Sequence, residues 1–391
     1  MNGMTSCRLV VSCGRETGFS SCLRSRRGLF VRFGIVGCGV ISSAHAGAIE
    51  ALGDRGELVA ACDVDSAVAE AFAAKHGCGV EKTPGDLFGR SDVDAVAICV
   101  ASGLHADLAV AALEAGKHVI VEKPLDITLA AADRIIAAER RSLGVVATIS
   151  QRRFEVAAQF VNRVVRDGDL GAITSGMAEC TWWRSQQYYD SAGWRGTWAM
   201  DGGGALMNQG IHQVDMLIWM LGRPVEVTAF AGTLAHERLE VEDTVAAVVR
   251  FESGAIGSLT ATTAANPGLP LRLSVHGDAG LATIEGNKLG TFALADPAAG
   301  VTNTLANPGG AASGDGGGRR AALLAEADEI RVADVGRGNG MNHPAQYAEF
   351  VDAVDNGRAP AVTSADGRRA VELVLGVYES ARSGRPVALG G

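Results

Sequence analysis

A lysine stands at the carboxyl end of a continuous apolar run in His118-Val-Ile-Val-Glu122-Lys123-Pro124, with a proline sealing the turn. In open parallel sheets the ligand crevice lies outside the carboxyl ends of the strands, so a cation delivered there faces ligand rather than bulk water. A second constellation runs from Asp201 through Gly202, Gly203 and Gly204 to Asn208, His212 and Asp215. At about 100° per residue, Asn208, His212, Asp215 and Trp219 share one helical stripe, polar where a core helix would be apolar. Leu206, Val214, Leu217, Ile218 and Leu221 supply burial on the other faces. A lone helical histidine is commonly a satisfied structural residue. This one shares its face with an amide and a carboxylate and titrates near neutral pH, which marks His212 as a candidate acid/base.

These groups need a frame that holds a cofactor against them. Val31 to Val36 reads as a buried strand, Gly37-Cys38-Gly39 as a tight turn, and Val40-Ile41 onward as a helix, the setting a dinucleotide pyrophosphate requires. The third fingerprint position holds Ser42 instead of glycine or alanine, so the motif alone is unspecific. Strand two ends in Cys62-Asp63-Val64 and places a carboxylate where a ribose diol needs an acceptor; the competing reading makes Asp63 the N-cap of the next helix. Val64 offers no clamp for a 2'-phosphate, which favours NAD over NADP. Ser102 and His105 follow strand four and fall beside the cofactor, with Glu122 and Lys123 after strand five; His105 could equally be a packing residue at a helix start.

From 31 to 150 the pattern alternates strands (31–36, 57–62, 94–100, 117–121, 145–150) with Ala-rich helices (65–76, 104–115, 128–141), as parallel βαβ units do. From 151 to 391 a helix, a strand at 173–184 and a glycine-led helix at 203–221 precede β-branched runs at 224–230, 243–251, 255–263, 271–276 and 281–284. Strands in succession predict a large, open, mostly antiparallel sheet. The fold class is therefore α/β: a doubly wound Rossmann domain (31–150) followed by an α+β substrate-binding and oligomerisation domain (151–391). Residues 298–320 read as a flexible Gly/Ala-rich insertion, and helices at 344–356 and 364–382 close the chain.

Composition narrows the classes. A chain of 391 residues exceeds one ordinary core, and a net charge of −9 without basic runs argues against nucleic acid. The eight scattered cysteines, with no Cys-x-x-Cys, read as core residues in a reducing compartment and predict no metal site. No apolar run approaches a membrane span. Residues 1–30 carry Arg26-Arg27 before an apolar stretch, in the manner of a twin-arginine export signal. Cleavage after Ala46 would remove the first strand and the glycine turn, so this segment reads as an unstructured extension or an upstream start, and the protein as cytoplasmic.

Gly37-x-Gly39, Asp63, Glu122-Lys123-Pro124 and the glycine-led helix ending in His212 together resemble the glucose-fructose oxidoreductase, inositol dehydrogenase and rhizopine-catabolism (Gfo/Idh/MocA) family, over about Val31 to Leu389. The resemblance implies that Lys123 is the active-site lysine, that His212 is the acid/base, and that the open sheet packs a homodimer or homotetramer. The family's inositol-dehydrogenase pattern has aspartate four residues before the histidine, where this chain has Asn208. An asparagine there, with Trp194-Arg195-Gly196, is more similar to the nucleotide-sugar 3-dehydrogenase branch.

The implied chemistry is hydride transfer between nicotinamide and a secondary alcohol of a sugar, nucleotide sugar or cyclitol. His212 takes the hydroxyl proton, Lys123 steadies the oxygen, and Asn208 orients substrate or histidine. Trp182, Trp183, Arg184, Tyr188, Tyr189, Trp194 and Arg195 form an aromatic-basic loop suited to sugar faces and anionic groups, or to an interface or core cluster. Arg153, Trp194, Arg195, Asn208 and Asp215 are the expected substrate contacts. Alternatives are an inositol dehydrogenase and a non-catalytic NAD-sensing regulator of the same fold.

Overall fold

The computed structural model describes residues 29–295, 318–333 and 342–390, so the expectations for residues 1–28 and for 298–317 lie outside the described residues. Six parallel strands form the first sheet: β1 (Val31–Val36), β2 (Gly56–Cys62), β3 (Gly79–Val80), β4 (Ala95–Ile98), β5 (His118–Val121) and β6 (Val146–Thr148). Their order is β3-β2-β1-β4-β5-β6, so strand order reverses between β1 and β4 and opens a crevice at their carboxyl ends. Strands covered on both faces read as unbroken apolar runs, and the Ala-Val-Ala-Ile of β4 is wholly buried. Side-chain caps start the connecting helices: Asp65 accepts from Ala67 and Val68 N–H, and Thr128 accepts from Ala131 N–H.

The second sheet contains β7 (Ile173–Thr181), β8 (Pro224–Gly232), β9 (Thr244–Phe251), β10 (Ile256–Thr262), β11 (Arg272–Gly277), β12 (Gly280–Glu285), β13 (Lys288–Leu294) and β14 (Val387–Ala388). The order is β13-β12-β11-β7-β10-β9-β8-β14, antiparallel except for the β7–β10 pair. Strict alternation along β9 puts Val245, Ala247, Val249 and Phe251 into a core shared with helices Ile211–Leu221 and Ser364–Ser383. The opposite face leaves Met177, Phe230 and Val248 exposed; Met177 pairs with Ser258, which pairs with Val248.

Several boundaries differ from the sequence reading. The strand expected to reach Arg184 stops at Thr181, and residues 318–320, assigned to the flexible insertion, open the unforeseen helix Gly318–Ala333. Strands β3, β13 and β14 were not anticipated; two of them are two residues long and too short to show a period. The helix expected at 203–221 is a π-helical turn, Ala205–Gly210, running into the α-helix Ile211–Leu221. Helix His343–Asp355 leaves the second sheet altogether. Its Tyr347, Phe350 and Val351 share a core with Phe33 and Ile35 of β1.

Candidate active site

The glycine turn after β1 is shaped for a phosphate. Gly37 has φ +92°, and a Cβ there would lie 2.6 Å from Cys99 O, so no other residue fits without displacement. A Cβ on Gly39 would meet nothing within 4 Å, which leaves open space at the loop tip. The helix Ser42–Glu50 starts without a side-chain cap; Ser42 N–H donates to Gly39 O at 3.2 Å and Ala44 N–H to Ile41 O at 2.9 Å, while the Val40 and Ile41 N–H groups of the turn have no partner among the described residues and can meet an anion. Ser42, in the third fingerprint position, is fully buried and donates to Gly39 O at 2.5 Å, bracing the loop from behind. Asp63 Oδ2 accepts from Cys38 N–H at 2.7 Å, while Asp65 caps the following helix. The helix-cap alternative for Asp63 therefore falls away, and its half-buried carboxylate stands beside the turn next to a fully exposed Val64.

Lys123 and His212 line one small cavity, with Ser150 and Asp215 also on its wall. Lys123 Nζ donates to Asn208 O at 2.9 Å and to Asn208 Oδ1 at 3.4 Å. The Asn208 Nδ2 donates in turn to Asp201 Oδ1 at 2.6 Å, and Asp201 Oδ2 accepts from Gly196 N–H at 2.9 Å. The amide is thus oriented by an acceptor on one side and a cation on the other. Burial lowers the lysine below its ordinary value, Glu122 and Asp201 oppose that fall, and Arg195 and Arg184 add to it. Burial also holds His212 well below its ordinary value, reinforced by Lys123 and Arg152. The imidazole is neutral at neutral pH and makes no side-chain hydrogen bond among the described residues, as a proton acceptor should.

A phosphate-shaped turn, an acid beside it, and a lysine facing a neutral histidine across one cavity are the parts of a nicotinamide-dependent alcohol oxidoreductase. Residues 31–151 match the oxidoreductase family with an NAD-binding Rossmann fold, and residues 158–283 match the GFO/IDH/MocA C-terminal domain. The chain belongs to the Gfo/Idh/MocA family. Among its relatives is myo-inositol 2-dehydrogenase of Thermotoga maritima, 28% identical over 92% of this chain and 98% of that protein. Inositol 2-dehydrogenase of Rhizobium meliloti is 31% identical over 66% of this chain and 76% of its own length. A crystal structure of the WlbA dehydrogenase from Bordetella pertussis, in complex with NADH and UDP-GlcNAcA, superposes with a TM-score of 0.80. It is 31% identical, covering 93% of this chain and 99% of that one. This Gfo/Idh/MocA protein is an NAD-dependent oxidoreductase.

Within this family member, several expected contacts take other places. His105 is 1% exposed and faces two carbonyls, Pro124 O at 2.7 Å from Nδ1 and Val100 O at 3.2 Å from Nε2; kept neutral by burial, it donates to one of them, and the ring is packed inside the protein. Ser102 is buried in the turn beside it. Arg153 and Asp215 form a bidentate pair at 2.8 and 2.6 Å, both under a tenth exposed; the carboxylate also accepts from Ser150 Oγ. Together they brace helix Ile211–Leu221 against the turn Gln151–Phe154, with Asp366 3.6 Å from the same guanidinium, and Asp215 remains on the cavity wall. Glu122 is 5% exposed, and its two oxygens face His45 Nε2 at 2.9 Å and Lys123 N–H at 3.0 Å. Val40 and Ile41, expected to open the helix, lie in the turn before it; the helix starts at Ser42, and Val40 is 91% exposed.

The aromatic-basic loop does assemble. The Arg195 guanidinium lies 4.3 Å from the Tyr188 ring centroid and 4.5 Å from that of Trp194, and it donates to Tyr188 Oη at 2.7 Å. Arg184 lies 5.0 Å from the Tyr188 ring and 5.2 Å from that of Trp182. Neither arginine has an acidic partner among the described residues, and the Nε of each is buried without a hydrogen-bond acceptor. Two groups escaped the sequence reading. Asp201 was read merely as the lead-in to the glycines, although its position next to Asn208 makes it a structural anchor. Glu242 accepts from Gly204 and Leu206 N–H at 2.9 and 2.8 Å and thereby holds the π-helical turn. No local signal marks Glu242, because its partners lie 36 and 38 residues away.

Proposed function

We propose that this enzyme transfers hydride at a ring secondary alcohol of a hexose-type carbohydrate, most directly at C3 of a sugar carrying an anionic group. The reading rests on one observation: Lys123 and a neutral His212 face the same cavity. The bound dinucleotide supplies the hydride acceptor or donor. In oxidation, His212 accepts the hydroxyl proton, and Lys123 donates a hydrogen bond to the same oxygen, stabilising the charge that develops on it. Asn208 holds the lysine from two oxygens without titrating. Gly37, Gly39, Val40 and Ile41 hold the pyrophosphate, and Asp63 accepts from the adenosine ribose diol.

The anionic group is assigned to Arg184 and Arg195. Two half-buried guanidinium groups, stacked on aromatic rings and without acids to pair with among the described residues, are arranged for an external carboxylate or phosphate. That WlbA binds UDP-GlcNAcA supports the same class. A cyclitol is the second reading, supported by the inositol dehydrogenases among the relatives. Cofactor absorbance on addition of uronic acids, UDP-linked sugar acids and myo-inositol separates the two: reduction of NAD by the acids supports the first, and by myo-inositol alone the second. The exposed apolar row through Met177 and Val248 is the self-association face of a homodimer or homotetramer in this reading.

A further inference from the structure

Behind Lys123, outside the cavity wall, three titratable side chains from distant segments converge on a single oxygen. His45 Nε2 lies 2.9 Å and His343 Nε2 3.5 Å from Glu122 Oε1, and the three residues are 0%, 1% and 5% exposed for His45, His343 and Glu122. The other carboxylate oxygen accepts from Lys123 N–H at 3.0 Å. His45 belongs to the helix that leaves the glycine turn, Glu122 to the end of β5, and His343 to the first turn of helix His343–Asp355. The hydrogen-bond roles follow from the carboxylate. It cannot donate, so His45 Nε2 carries the proton and Nδ1 accepts from Tyr347 Oη at 2.7 Å. Buried His343 faces Glu122 Oε1 with its Nε2 at 3.5 Å, and neither ring nitrogen has another partner among the described residues.

A buried carboxylate is costly unless something uses its charge. We propose that Glu122 is a positioning residue for Lys123: the buried His45–Glu122–His343 cluster fixes a negative charge behind the lysine and keeps it protonated and aimed at the cavity. This rests on the role given to Lys123 above. Facing Lys123 are Glu122, Asp201, Arg184, Arg195 and His212, so two anions oppose two permanent cations and burial. Facing Glu122 are His45, His343, Tyr347 and Lys123, with Cys99, His105 and His212 also in its field. Burial pushes Glu122 up, but His343, His45 and Lys123 together hold it well below the ordinary carboxylate value, so the anchor stays charged. The same three side chains would suit a divalent cation, yet each Glu122 oxygen already accepts from a protein N–H. The hydrogen-bonded anchor accounts for those contacts without one.

The test reads the lysine directly. Full-length enzyme with NADH is labelled with acetic anhydride across a pH series, and the Lys123 peptide is quantified by mass spectrometry. Removing the counter-charge in Glu122→Gln should move the Lys123 labelling midpoint down by about one pH unit or more, and His343→Gln should move it less in the same direction. A midpoint unchanged in Glu122→Gln would overturn the proposal, as would an unchanged midpoint in His343→Gln should the first variant fail to fold. A stoichiometric divalent metal in the purified enzyme would also overturn it, in favour of a metal-bound cluster. Because labelling needs no substrate, this result stands apart from the reaction assigned to the site.

Discussion

The side-chain amide of Asn208 donates to Asp201 Oδ1 at 2.6 Å, so the position four residues before His212 is matched to an acid that the chain supplies seven residues earlier. An aspartate at 208, the inositol-dehydrogenase pattern, would press two carboxylates together. Asn208→Asp should therefore raise the proton affinity of the pair and lower turnover about tenfold or more near neutral pH. Recovery of activity at lower pH would show that the shared proton, not lost shape, is the cause. Turnover equal to wild type at all pH values would contradict this account.

Lys123→Met and His212→Ala remove the two groups facing the cavity. Each should reduce turnover by about 10²-fold or more while NADH affinity, measured by fluorescence titration, stays within a few-fold. Near-normal turnover in either variant removes that residue from the mechanism.

Burial and the nearby Lys123 and Arg152 keep His212 neutral down to well below its ordinary value of 6.5. Alcohol oxidation, which needs the neutral imidazole, should therefore hold its rate as pH falls through 6.5 and decline only well below it. Stopped-flow measurement of NADH formation checks this. A limb centred at 6.5 or above would mean that the histidine is solvated and not the base.

Asp63 with Val64 beside it should give a preference for NAD over NADP, narrowed in Asp63→Ser, because a carboxylate accepts from a ribose diol and repels a 2'-phosphate. Steady-state kinetics with both cofactors decide the matter; wild type using NADP better would sink the assignment. In the same assays an acidic or nucleotide-linked sugar should outcompete myo-inositol, and Arg195→Ala should shrink that advantage.

Glu242 is pushed up to about 7 by burial, against the hydrogen bonds it accepts. The native state then holds a proton that the unfolded chain has released between its ordinary value of 4.5 and about 7. Its contribution to stability is fully present below 4.5 and is lost as pH rises through about 7, by at most about 3 kcal/mol. Histidines buried in their neutral form titrate in the same range with the opposite sign, so the measurement is the difference between wild type and Glu242→Gln. Melting curves from pH 5 to 8 should converge for the variant relative to wild type; parallel curves would refute the shift.

The parts legible in sequence are those whose signal is local. β1, β4 and β5 are continuous apolar runs, the glycine turn and the lysine sit at their ends, and the polar stripe of Asn208 and His212 survives the change from π to α geometry. The misplaced residues are those decided by partners far along the chain. Arg153 was expected at the substrate, yet it pairs with Asp215, 62 residues on, and also faces Asp366. His105 is indistinguishable in sequence from a cofactor ligand until Pro124 O is known to lie 2.7 Å away. That Asp63 does not cap the next helix was readable, because Asp65 could fill that role.

Tyr347 reaches His45 across 302 positions of chain, and Phe350 and Val351 join Ala48 and Ile49 in the core against Phe33 and Ile35 of β1. During synthesis, the nucleotide-binding half therefore leaves the ribosome with part of its core missing, and that part arrives only with helix His343–Asp355. A fragment cut near residue 150 would lack Tyr347, Phe350 and Val351 from that core. A nascent chain stalled before helix His343–Asp355 should accordingly be open to proteases and chaperones at the very segment that later grips the cofactor.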